Sequence, residues 1–129
     1  MLGESGRTVV HVIEPQDLFV PALLDVFTEA GLFVDHVSAA IDPRRLLDDQ
    51  PHVVFLDTDY LPDPVESVRL AHVLAPRALI FVYSNATTDM LRRSFEGAGA
   101  EVVLTKSAPR GEIVAGLREV ERRRREHRA

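Results

Sequence analysis

The chain has no cysteine and no tryptophan, and among its fifteen basic residues there is a single lysine, Lys106. The missing thiols exclude a disulfide framework, a thiolate metal site and a cysteine nucleophile. No apolar run approaches the roughly 18 residues of a membrane span. The polar start Met1-Leu2-Gly3-Glu4-Ser5-Gly6-Arg7 lacks the apolar centre of a secretory signal. A soluble, cytoplasmic chain with no membrane partner is therefore expected. Basic charge is also in short supply: the net charge is −5, which argues against direct nucleic-acid binding. Its distribution is uneven. Residues 118–129 hold six Arg and three Glu, whereas the remainder holds nine basic and seventeen acidic residues. The result is an acidic body with a basic end. Where arginine fills nearly every basic position, the one lysine stands out as a position that arginine would not serve.

What the chain does have is length for one domain, 129 residues, and a regular alternation of patterns. Short apolar, β-branched runs at 8–13, 33–37, 53–56, 78–83 and 101–104 read as strands, two of them continuous enough to be buried on both faces. Helical spacing lies between them. Leu23, Phe27 and Ala30 share a face with Gly31 as a stop. Asp42-Pro43 opens a second helix as cap and first residue. Val65, Val68 and His72 space a third, Thr88 caps a fourth that ends near Gly97, and Ile113, Leu117 and Val120 stripe a fifth. Five strands alternating with five helices predict a single doubly wound α/β domain, (βα)5, around a five-stranded parallel sheet. Pro21 conflicts with a first helix beginning at Asp17, because it removes a backbone donor; a later start or a distorted first turn is expected.

In such sheets ligands bind beyond the carboxyl ends of the strands. Glu14 follows the first run, Asp57 ends the third, Ser84 ends the fourth, and Lys106 follows the fifth. These groups suit phosphoryl chemistry. Two acids offer hard oxygen ligands to Mg²⁺, a carboxylate can form an acyl phosphate, and a hydroxyl and an ammonium can hold phosphoryl oxygens.

On these residues the chain resembles the receiver domains of bacterial two-component response regulators. The likeness spans about residues 7–120. It rests on Pro51-His52-Val53-Val54-Phe55-Leu56-Asp57, on Ser84, on Gly97-Ala98-Gly99-Ala100, and on Leu104-Thr105-Lys106. It implies a flavodoxin-like fold and a phosphorelay role. A histidine kinase or phosphotransfer protein would donate to Asp57, Ser84 and Lys106 would accompany the phosphoryl group, and a downstream effector would read the result. Mg²⁺ would be held by Glu14, Asp57 and the backbone carbonyl of Asp59. The usual face for an effector or a homodimer is the fourth helix, fifth strand and fifth helix, to which Val103, Ile113 and Val114 could contribute apolar area or else serve the core. Residues 1–6 are expected to be disordered, and 121–129 to form a basic helix end or tail. The Arg run 122–125, interleaved with glutamates and without aromatics, reads as a solvated helix end or the start of a linker.

The departures make it an atypical receiver. Pro15 stands where the family has a second acid beside Glu14. The proline after Asp57 is displaced by one, at Pro62. Ser107 stands where the family has a cis proline, and a cis bond there would cost about 2.5–4 kcal/mol. Val103 replaces the strand-five aromatic that responds to phosphorylation. These differences support an alternative, a pseudo-receiver that docks proteins without being phosphorylated. A remoter reading comes from Phe55-Leu56-Asp57-Thr58-Asp59-Tyr60-Leu61, which resembles the first motif of haloacid-dehalogenase-type phosphatases. Residues 107–129 lack the further acidic motif with Asp that such enzymes need, so no enzyme is expected. The histidines at 11, 36, 52, 72 and 127 show no metal-ligand spacing, and structural roles are expected for them.

Overall fold

The computed structural model describes residues 7–85 and 88–126. The expected disordered start, 1–6, lies outside the described residues, as does His127. Strand β1 (Val10–Ile13) leads through a 3-10 turn (Asp17–Phe19) to helix α1 (Val20–Glu29). There follow β2 (Val34–Ser38), α2 (Pro43–Asp49), β3 (Val53–Asp57), α3 (Pro64–Leu74), β4 (Leu79–Ser84), α4 (Asp89–Ala98), β5 (Ala100–Thr105) and α5 (Arg110–Glu126). All strand pairs are parallel, in the order β2-β1-β3-β4-β5. This is the flavodoxin-like doubly wound sheet. Among the described residues no helix is long and apolar enough to cross a membrane.

The conflict at Pro21 is resolved by splitting the segment. A 3-10 turn takes up Asp17–Phe19, and α1 starts at Val20 with Pro21 in its first turn, where a missing N–H costs nothing. The other helix starts follow their capping chemistry. The side chains of Asp42, Asp63 and Thr88 accept from the backbone N–H of Arg45, Glu66 and Leu91. Pro43 and Pro64 then occupy first-turn positions.

Side chains alternate across each strand, so the sheet makes two cores. Ile13, Leu56, Ile80, Val82 and Val103 pack under α2, α3 and α4 with Leu46, Val68, Ala71 and Phe95. Val10, Val12, Phe55 and Phe81 pack under α1 and α5 with Phe27, Ile113, Val114 and Leu117. Phe55 stacks on Phe81 at 4.9 Å between centroids and meets Phe27 edge-on at 5.1 Å. Val103, Ile113 and Val114 are all buried, so they serve the core and offer no apolar area to a partner.

The expected solvated end of α5 is only partly so. The stripe Ile113, Leu117, Val120 continues to Arg124, which is 5% exposed. Its guanidinium donates to Thr8, and the Thr8 hydroxyl donates to Glu121, so the helix end docks beside the start of β1. Arg122 and Arg125 remain exposed in pairs with Glu119, Glu126 and Glu121.

Gly99 joins α4 to β5 with φ +124°, and a Cβ there would lie 2.7 Å from Cγ of His72. Only glycine adopts that backbone conformation without strain. Gly99→Ala is therefore expected to lower stability by about 1–3 kcal/mol, read as a shift of the urea unfolding midpoint at unchanged slope.

Candidate functional site

The strand order reverses between β1 and β3, and both of the acids picked out from sequence stand at that crevice. Asp57 is the last residue of β3 and Glu14 follows β1, each 1% exposed. Alternation decides what they share. Glu14, Asp57, Tyr83 and Lys106 lie on the α1/α5 side of the sheet and line one cavity of about 380 Å³, walled by Phe19, Leu23, Val26 and Ile113 with Arg110 beside them. Ser84, one residue beyond Tyr83, lies on the other side. It lines an adjacent cavity of about 360 Å³ with Thr58, Asp59 and Asn85. The structure thus gathers Glu14, Asp57 and Lys106, with Ser84 next door across the sheet edge.

Backbone bonds hold the strand ends together. Thr58 N–H donates to the carbonyl of Tyr83 at 3.1 Å, and Lys106 N–H to the carbonyl of Ser84 at 2.8 Å. Ser107 forms a turn instead of the family's cis proline: its N–H donates to Thr105 Oγ1 at 3.3 Å, and Ala108 N–H donates to the Thr105 carbonyl. Among the described residues no peptide bond is cis.

Lys106 is the electrostatic centre. Its Nζ lies 2.7 Å from Asp57 Oδ2 and 2.7 Å from Asp59 Oδ2. The rings of Tyr83 and Phe19 stand 5.4 and 5.8 Å from the ammonium. Burial opposes its charge, but the two carboxylates outweigh burial and raise its pKa. A compact ammonium reaches both carboxylates here, which accounts for the one lysine in an arginine-rich chain.

Asp59 does more than sequence reasoning assigned to it. Its carboxylate binds Lys106 and accepts from Asn85 N–H at 2.8 Å, while its own N–H donates to Asp57 Oδ1 at 3.2 Å. No spacing marked this role, because β3 ends at Asp57 and Asp59 lies in the turn beyond it, lining the Ser84 hollow. Tyr83, Phe19 and Arg110 were also missed, because their arrival depends on how α1 and α5 pack.

Glu14 Oε2 accepts from Gln16 N–H at 3.0 Å, and Oε1 is buried with no hydrogen-bond partner. Burial first, and then the neighbouring Asp57, push its pKa up from 4.5 to about 7. Two carboxylates and an unpartnered oxygen are the right chemistry for a hard cation. Among the described residues, however, no group of three or more His, Cys, Asp or Glu is gathered as a metal-ligand set. The five sequence-predicted positions are thus all at this sheet edge, in two adjoining hollows.

This is the fold of response-regulator receiver domains of the CheY-like type. No protein-family model matches the chain, and no curated protein matches it significantly. Solved structures do. A CheY-like receiver domain protein from Methanospirillum hungatei is 14% identical with a TM-score of 0.77, covering 94% of this chain and 98% of that one. The receiver domain of a putative LuxO repressor protein from Vibrio parahaemolyticus is 13% identical with a TM-score of 0.79, covering 94% and 95%. A Burkholderia pseudomallei response regulator is 18% identical with a TM-score of 0.71, covering 93% of this chain and 72% of that one; its structure contains a phosphorylated aspartic acid, a calcium ion and citrate.

The raised Glu14 carboxyl has a stability consequence. Between pH 4.5 and about 7 the folded chain keeps a proton that the unfolded chain releases, so Glu14 costs stability progressively as pH rises through that window. In metal-free buffer, the stability of Glu14→Gln minus that of the natural chain should therefore grow from pH 4.5 to about 7 and then level, as read from denaturation at each pH.

Proposed function

We propose that this chain is a phosphorylation-responsive receiver in which Asp57 accepts a phosphoryl group from a phosphohistidine of a kinase or phosphotransfer protein. The observation that carries the reading is the Lys106 ammonium 2.7 Å from a buried Asp57 carboxylate at the sheet's switch point. In the transfer, an Asp57 carboxylate oxygen attacks phosphorus, the nitrogen–phosphorus bond breaks, and the imidazole leaves with its electron pair. The product is an acyl phosphate. Lys106 neutralises phosphoryl charge on the α1/α5 side, and the Ser84 hydroxyl stands ready to donate from the other. Glu14 and Asp57, with the backbone carbonyl of Asp59, are the residues that would hold a Mg²⁺. Bound there, the ion would offset the negative charge of the transferred group.

New charge on Asp57 competes for Lys106, which now bridges Asp57 and Asp59. Releasing or reorienting that lysine changes the β5–α5 connection, and this gives an effector, or a second copy at the α4–β5–α5 face, something to read. On this reading the chain is a cytoplasmic signalling domain that accepts a group, and it does not turn over a free substrate. The fold neighbour with a phosphorylated aspartic acid supports the chemistry. A second reading, a docking module that works unmodified, draws on the engagement of both Asp57 oxygens by Lys106 and by Asp59 N–H, together with Pro15 in place of a second acid.

Titration with Mg²⁺ and then beryllofluoride, a phosphoryl mimic, separates the two. The receiver reading expects saturable amide NMR shifts at Asp57, Ser84 and Lys106 that are lost in Asp57→Asn. A spectrum unchanged at millimolar concentrations would sink it and leave the unmodified docking module.

A further inference from the structure

In the proposed transfer Asp59 serves only through its backbone carbonyl, yet its side chain is engaged at both oxygens. Oδ2 lies 2.7 Å from the Lys106 ammonium, and Oδ1 accepts from the Asn85 N–H at 2.8 Å. Lys106 follows β5 and Asn85 follows β4, so one carboxylate spans two neighbouring strand ends.

A phosphoryl group on Asp57 would draw on those same donors. Lys106 Nζ stands at an equal 2.7 Å from Asp57 Oδ2. Asn85 directly follows Ser84, and Asp59, Ser84 and Asn85 line one hollow of about 360 Å³. Transfer replaces a carboxylate of one negative charge with a group carrying nearly two. The demand for donors therefore rises where a second carboxylate already holds them. Like charges at this range also repel, and a site this buried screens them poorly. Asp59 has somewhere to go. It lies in the turn beyond the last residue of β3, and its side chain is 17% exposed. A change of rotamer turns its carboxylate toward solvent without moving the sheet.

We infer that Asp59 is a built-in competitor for the phosphoryl site: its carboxylate occupies the Lys106 ammonium and the Asn85 N–H, and Asp57 takes a phosphoryl group only when Asp59 has turned away. The inference rests on the receiver reading and adds an autoinhibitory contact to it. The domain holds its own anion in place of the phosphoryl oxygens, and exchange of one for the other sets how readily it is charged.

The test compares the natural chain with Asp59→Asn by amide NMR, titrating beryllofluoride with each chain saturated in Mg²⁺. The substitution keeps the side chain's size and the backbone carbonyl but removes the charge. Asp59→Asn should bind beryllofluoride about tenfold more tightly, the factor expected when about one molecule in ten has the site open. Loss of a merely structural contact would weaken binding, so the sign of the change is diagnostic. Asp17→Asn removes the same charge from an exposed position after β1 and should change the affinity by less than about twofold. Because Lys106 is the only lysine, lysine-selective labelling gives one side-chain signal. Without ligand, Asp59→Asn should shift that signal together with the Asn85 amide.

Equal affinity in the natural chain and Asp59→Asn would overturn the inference and leave the receiver reading standing. Binding to neither chain would overturn both. An equal gain in Asp17→Asn would reduce the effect to general charge and overturn the inference alone. So would a Lys106 signal and an Asn85 amide that Asp59→Asn leaves in place.

Discussion

A sheet covered by helices on both faces forces every strand residue to choose a side, and the choice repeats with period two. That constraint organises both the interior and the chemistry of this chain. Along β3, Val53 and Phe55 serve the core under α1 and α5, and Val54 and Leu56 serve the other core. Asp57 continues the first series past the edge of the packing, where its carboxyl meets a hollow instead of a methyl group. Glu14 after β1, Tyr83 in β4 and Lys106 after β5 follow the same parity. A shift of one residue in any strand would turn its terminal group to the wrong side and also bury polar atoms in the core. Packing and site geometry are therefore specified by one register.

That placement gathers negative charge. Glu14, Asp57 and Asp59 converge around Lys106, and burial weakens the solvent's ability to screen them. The structure settles this in two ways. Lys106 bridges two of the carboxylates, and Glu14 holds its proton to about pH 7. The lysine thus works as a counter-ion whose partners can change. Removing it would leave paired acids uncompensated in a buried site, a larger penalty than the net worth of the bridge itself.

Much of this was legible beforehand. Five apolar runs and the caps at Asp42 and Thr88 are local signals, and local physics sets them. The polar residue ending each run marks the ligand edge of such sheets, so Glu14, Asp57, Ser84 and Lys106 could be named together. What the sequence concealed was the third dimension of the site. Phe19 and Arg110 reach the cavity because α1 and α5 lie across it, and no spacing along the chain encodes that. The split of Ser84 from Asp57 was implicit in strand parity but needed exact strand ends. Arg124 shows the opposite failure. Its four-arginine run looked solvated, although it extends the stripe Ile113, Leu117, Val120 by one more turn, and periodicity prevailed over composition.

The two edges of the sheet differ in a way that bears on how the domain is used. Parallel strands place all their carboxyl ends together, and here those ends carry acids and one lysine; the amino ends gather arginines and histidines. At the acidic edge Lys106 and the Asp59 N–H occupy the two Asp57 oxygens. Any event there must exchange existing bonds, which makes it a candidate switch: the outcome turns on a small difference between two paired states. The basic edge is different in kind. Its buried arginine is fixed by Thr8 and Glu121, while Arg77 is exposed. On the proposed reading, a phosphoryl group on Asp57 would act through that exchange, by changing the lysine bridge and with it the β5–α5 connection.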